Sequence, residues 1–102
     1  MKVVIVLCVK AFHEELMKIF NELNILAFSE TDVRGFKHEE NQVSMVPNWF
    51  GSEENHYNSI ANFSFVNEEQ ANMVLDKVAL FNDSLDCCSP MHAFMLNVEK
   101  TV

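Results

Sequence analysis

The sequence predicts an α+β domain in βαββαβ order: a four-stranded antiparallel sheet with two helices on one face. Three observations carry this. The 102 residues divide into two strand–helix–strand units of about fifty residues each. In each unit a run of helical period lies between runs of strand period. One long aperiodic stretch, residues 37–56, separates the two units. That order is the split βαβ or ferredoxin-like arrangement, and 49% hydrophobic content with nine phenylalanines supplies one core for a single domain spanning residues 1–102.

Lys2 to Val9 reads as a central strand buried on both faces, because Val3 to Leu7 is a continuous β-branched and aliphatic run without polar alternation. From Phe12 the period changes to Leu16, Ile19, Phe20 and Leu23, an amphipathic helix ending near Asn24, a residue that tolerates the left-handed conformation of a helix C-terminus. Ile25 to Phe36 is the second strand, apolar at first and polar toward Asp32, with Gly35 as its hinge into the long segment. Tyr57 to Val66 is the third; Ala61, Phe63 and Phe65 share one side, and Ile60, Asn62, Ser64 and Val66 the other. Asn67 caps a second helix whose apolar positions Ala71, Val74, Leu75, Val78 and Phe81 end it at Phe81 or Asn82. A loop over 83–90 leads to a fourth strand, Met91 to Val98. Met17, Met73 and Met95 are assigned to the core and His13 to the surface.

Two helices cover one face of such a sheet. The other would carry Phe, Val, Leu and Met side chains into water, so it is expected to be buried between subunits.

The formal charge of −8, with seven Lys and Arg residues, argues against nucleic acid and anionic membrane surfaces as partners, since both require clustered cations. The apolar run Val3 to Val9 is too short for direct membrane insertion. Three cysteines, Cys8, Cys87 and Cys88, are an odd number; with no export signal read in the chain, they suggest a reducing cytoplasm rather than a disulfide framework. No Ser-His-Asp order, phosphate loop or paired-carboxylate site stands out, so no catalysis is expected.

Two groups of residues could bind something. Cys87, Cys88, Met91 and His92 are soft donors suited to copper or zinc, although adjacent cysteines point apart in an extended segment and chelate poorly. In the long segment, His38, Glu39, Glu40, Glu53, Glu54 and His56 lie near its two ends, where a solvated acidic surface is a simpler reading than a divalent-cation site. Between them Val43, Met45, Val46, Trp49 and Phe50 form an apolar set of the kind that anchors protein contacts.

Val9-Lys10-Ala11-Phe12 after the first strand, Glu22-Leu23-Asn24-Ile25 after the first helix and Thr31-Asp32-Val33-Arg34-Gly35-Phe36 before the long segment resemble the PII signal-transduction proteins. That family has Lys-Pro-Phe, Gly-Ile and Thr-Glu-Val-Lys-Gly-Phe-Gly at the corresponding places. The resemblance implies a homotrimer with ligand clefts between subunits. ATP, ADP or 2-oxoglutarate bind there in the family and change the order of a flexible T-loop, which docks onto a protein target. Here the T-loop corresponds to residues 37–56. The cleft would be made by Ser29, at the place of a family threonine, by Gly35, Phe36 and Lys37 at the loop base, and by Cys87, Cys88 and His92.

The segment Asp86 to Phe94 departs from the family's glycine-rich phosphate loop. It contains no glycine, His92 stands in place of the lysine, and no arginine follows through Val102. Phosphate binding needs close backbone approach and positive charge, whereas a histidine carries no fixed charge at pH 7. Conventional ATP binding is therefore not expected. The reading is a PII-like regulator taking another small effector. The alternatives are a soft-metal (copper or zinc) PII-like or CutA-like trimer, using Cys87, Cys88 and His92, and a ligand-free protein-interaction module.

Overall fold

A computed structural model describes residues 1–36, 58–86 and 89–102. Lys37, Val43, Met45, Trp49, Phe50, Cys87 and Cys88, together with His38 to His56, lie outside the described residues. Strand β1 spans Lys2–Val9 and runs through a 3₁₀ turn, Lys10–Phe12, into helix α1, His13–Glu22. Strands β2, Ser29–Arg34, and β3, Asn58–Val66, precede helix α2, Glu68–Asp83, and strand β4, His92–Asn97, completes the order. The sheet is ordered β2-β3-β1-β4 with every neighbouring pair antiparallel. This is the ferredoxin-like arrangement expected.

The strand register sorts the side chains. Val6 lies opposite both Asn62 and Ala93, and Cys8 opposite Ile60, so with period-two alternation one face carries Val4, Val6, Cys8, Ile60 and Val66. All are buried against Leu16, Ile19 and Phe20 of α1 and Ala71, Val74 and Val78 of α2. Phe12 meets Phe81 edge-on at 5.1 Å and Phe20 meets Phe28 at 4.8 Å, closing the two ends of this layer with ring contacts.

Helix α1 stops where the sequence predicts. Asn24 takes φ 57°, and the Ile25 N–H donates to the Phe20 carbonyl at 2.9 Å, a left-handed C-terminal motif. Helix α2 starts at the expected cap, with the Asn67 side chain accepting from the Gln70 N–H at 2.8 Å.

Three expectations need correction. The first strand is not buried on both faces within one chain, because both helices lie on the same side and Val3, Ile5 and Leu7 remain partly open. The second strand begins at Ser29 rather than Ile25. The turn at Asn24 drives Ile25 into the core, and Ser64 Oγ donates to the Ala27 carbonyl at 2.6 Å in place of a ladder bond there. Met73 is 41% exposed on the outer side of α2 rather than in the core, whereas Met17 and Met95 pack against the core as expected. His13 keeps its place at the surface, its side chain 39% exposed, with Nδ1 2.9 Å from Glu30 Oε1.

Candidate functional site

β3 carries its greasier side away from the helices. Phe63 and Phe65, 36% and 59% exposed, stand there with their rings 6.3 Å apart and edge-on. The register continues this surface through Ile5 and Leu7 of β1 to Phe94 and Leu96 of β4. Ile5, Leu7, Phe94 and Leu96 border a shallow apolar depression of about 580 Å³. At the β2 side, Leu26, Phe28, Ser29, Phe63, Ser64 and Phe65 enclose a second hollow, of about 440 Å³. This hollow exists because β2 starts late: beyond Phe63, β3 has no strand beside it on that edge.

Ser29, one of the candidate cleft residues, thus lines a hollow within the chain. Gly35 and Phe36 follow the far end of β2, whose six residues span about 20 Å. The Arg34 guanidinium lies 5.7 Å from the Phe36 ring centre, a cation–π contact. His92 opens β4 opposite Leu7, itself opposite Ala61, which pairs with Thr31. Three strand spacings, about 14 Å, therefore separate His92 from β2. A single chain does not bring Ser29, Gly35 and His92 together.

Where β1 turns into α1, an ionic seam joins that corner to β2. Lys10 Nζ is 3.2 Å from an Asp32 carboxylate oxygen, and His13 pairs with Glu30. The signal was present in the sequence as Glu30 and Asp32 on the same side of a strand, but only the β2–β3 pairing shows that this side meets the end of β1. Beneath the seam Cys8 is fully buried. Burial first, and the nearby Glu30 charge second, push its thiol up to about 12 from 9.0. It is a packed thiol rather than a nucleophile. Among the described residues no group of three or more His, Cys, Asp or Glu side chains could hold a metal ion.

The loop that follows α2 is tied at both ends. Asn82 Nδ2 donates to the Met91 carbonyl at 2.9 Å, and the Met91 N–H donates to Asn82 Oδ1 at the same distance. Ser89, just before Pro90, takes φ 65°, a left-handed conformation unusual for a residue with a Cβ. Sequence reasoning missed this clamp; Asn82 reads as a turn residue until its amide is seen to mimic a strand partner.

Sheet order, helix placement and the long β2–β3 connection define the class of fold found in PII-like signalling proteins. A chain from Thermus thermophilus described as a PII-like signaling protein superposes with TM-score 0.64 at 18% identity, covering 95% of this chain and 84% of its own. CPII, a nitrogen regulatory PII-like protein from Thiomonas intermedia bound to ADP, AMP and bicarbonate, superposes with TM-score 0.61 at 12% identity, covering 99% and 94%. No protein-family model and no curated protein sequence matches the chain. The likeness at these identities is one of fold.

Proposed function

We propose that this chain is a PII-like regulatory protein: a homotrimer that binds a small effector in a cleft between subunits and acts through residues 37–56 on a protein target. The observation that carries the reading is the helix-free sheet face. Phe63, Phe65 and Leu96 are 36%, 59% and 48% exposed in one continuous apolar surface. Water is a poor partner for such a patch, and packing against other copies removes it. Assembly also offers a reason why Ser29, Gly35 and His92 stand apart in one chain. Ser29, Gly35, Phe36 and Lys37 of one subunit would face Cys87, Cys88 and His92 of a neighbour.

The effector differs from a conventional nucleotide. Among the described residues, no lysine or arginine borders the hollow beside Ser29; aromatic and aliphatic side chains do. A ligand there would be held by its apolar or planar part. Val43, Met45, Trp49 and Phe50 are the proposed contacts to the protein target, and no chemistry of the protein's own is invoked.

A thermal-shift screen of the full chain with adenine nucleotides, bicarbonate, 2-oxoglutarate, copper and zinc tests this. A ligand that binds only the folded state raises the melting temperature with its concentration. We expect a shift from at least one small organic or bicarbonate ligand. No shift across the screen overturns the effector part of the reading and leaves an interaction module. A shift from copper or zinc alone, with Cys87 and Cys88 protected from thiol reagents, moves the site to the soft-metal alternative.

A further inference from the structure

A second apolar surface lies on the opposite side of the molecule, between the two helices. Leu23 at the end of α1 and Met73, Asp76, Lys77 and Leu80 of α2 line a groove of about 220 Å³. Leu80 is 64% exposed and Met73 41%. The seven-residue spacing of these two places their side chains on one side of α2, about 10 Å apart along its axis. Lys77 Nζ reaches across to Glu22 Oε1 at 3.1 Å, so the one cation that lines the groove among the described residues is already paired. Asp76 is exposed and has no ion-pair partner among the described residues.

We propose that this groove docks an amphipathic helix of a partner protein, its apolar face flanked by lysine or arginine. The groove is smaller than the 300–1,000 Å³ or so of small-molecule pockets, so a small ligand would remain largely exposed. It offers no unpaired sheet edge for strand addition, because the backbone of α2 is bonded within the helix. Leucine-type side chains about two turns apart are instead what a packed helix engages. Charge selects the partner. Glu14, Glu15, Glu68, Glu69 and Asp83 are exposed on the same two helices, which otherwise offer only Lys18 beyond the paired Lys77. A second copy of this chain would bring carboxylates against Asp76; a basic helix brings the missing cation. The residues that line it are not those proposed for the cleft, and the proposal does not depend on the effector.

The test titrates the full chain into a fluorescently labelled synthetic peptide of about 18 residues, with leucines on one helical face and flanking lysines. The control peptide has the same composition scrambled to remove that face. At about 150 mM salt the patterned peptide is expected to bind at least about tenfold more tightly than the scrambled one. Leu80→Glu should weaken binding by about tenfold or more and the milder Leu80→Ala by several-fold, with melting curves confirming that both remain folded. Asp76→Asn should reduce the dependence of binding on salt. Equal binding of the scrambled peptide, or no response to either Leu80 substitution, overturns the proposal. So does a fall in the solution mass of the chain on Leu80→Glu, which would show that another copy occupies the groove.

Discussion

Asn62 is fully enclosed on the helix side of β3, between Glu30 on one neighbouring strand and Val6 on the other, and neither of its amide atoms has a hydrogen-bond partner among the described residues. Burying an amide without a partner costs on the order of 1–3 kcal/mol. Asn62→Leu is therefore expected to raise unfolding stability by about that amount, measured by denaturant titration; a loss of stability would show that the amide is needed. Cys8 lies on the same face, one residue pair along. Its thiol ionises near 9 when the chain unfolds and near 12 when folded. Below pH 9 both states hold the proton and the difference has no effect; as pH rises from 9 toward 12 the unfolded state loses it first, and stability falls. Melting temperature should decline over that window in the native chain and decline less in Cys8→Ala. The alternation of β3 was legible in the sequence, but hydrophobicity did not say which side the helices take. The set with more aromatic area, Ala61, Phe63 and Phe65, faces away from them, and the core receives Asn62 and Ser64 instead.

At the scale of elements, β1, both helices and β4 could be read from the sequence to within a few residues, because period and capping residues are local signals. The start of β2 could not. Ile25 and Leu26 look like strand, yet pairing is decided by the register with β3, and the turn after Asn24 commits Ile25 to the core. For the candidate site, Ser29 could be placed beside a hollow only once β3 was known to extend past it. The clamp of Asn82 on Met91 was equally invisible, since it joins residues across a loop. Asn82→Ala removes both bonds and leaves the Met91 N–H and carbonyl without this partner. A loss of about 1–3 kcal/mol is expected in chemical unfolding, together with faster amide hydrogen exchange at Met91. Unchanged exchange would mean that β4 alone holds the loop's return.

For the whole molecule, the two faces of the sheet differ: one packs against the helices, and the other leaves an apolar surface open, the one proposed for assembly. Phe65 lies on the open face at 59% exposure and away from the core. If the proposed trimer packs through this face, Phe65→Glu should leave the secondary structure intact while converting it to monomers at micromolar concentration, read by sedimentation; an unchanged mass would place the subunit contact elsewhere. The β2–β3 register has a different implication. Arg34 sits directly opposite Asn58, so the backbone departs from the sheet and rejoins it at a single pair of neighbouring residues. What lies between them closes a hairpin, a task a two-residue turn can perform. The insert can therefore be exchanged or shortened without renegotiating the fold, and, if it makes the proposed contact, a lineage could change its choice of target while inheriting the scaffold whole.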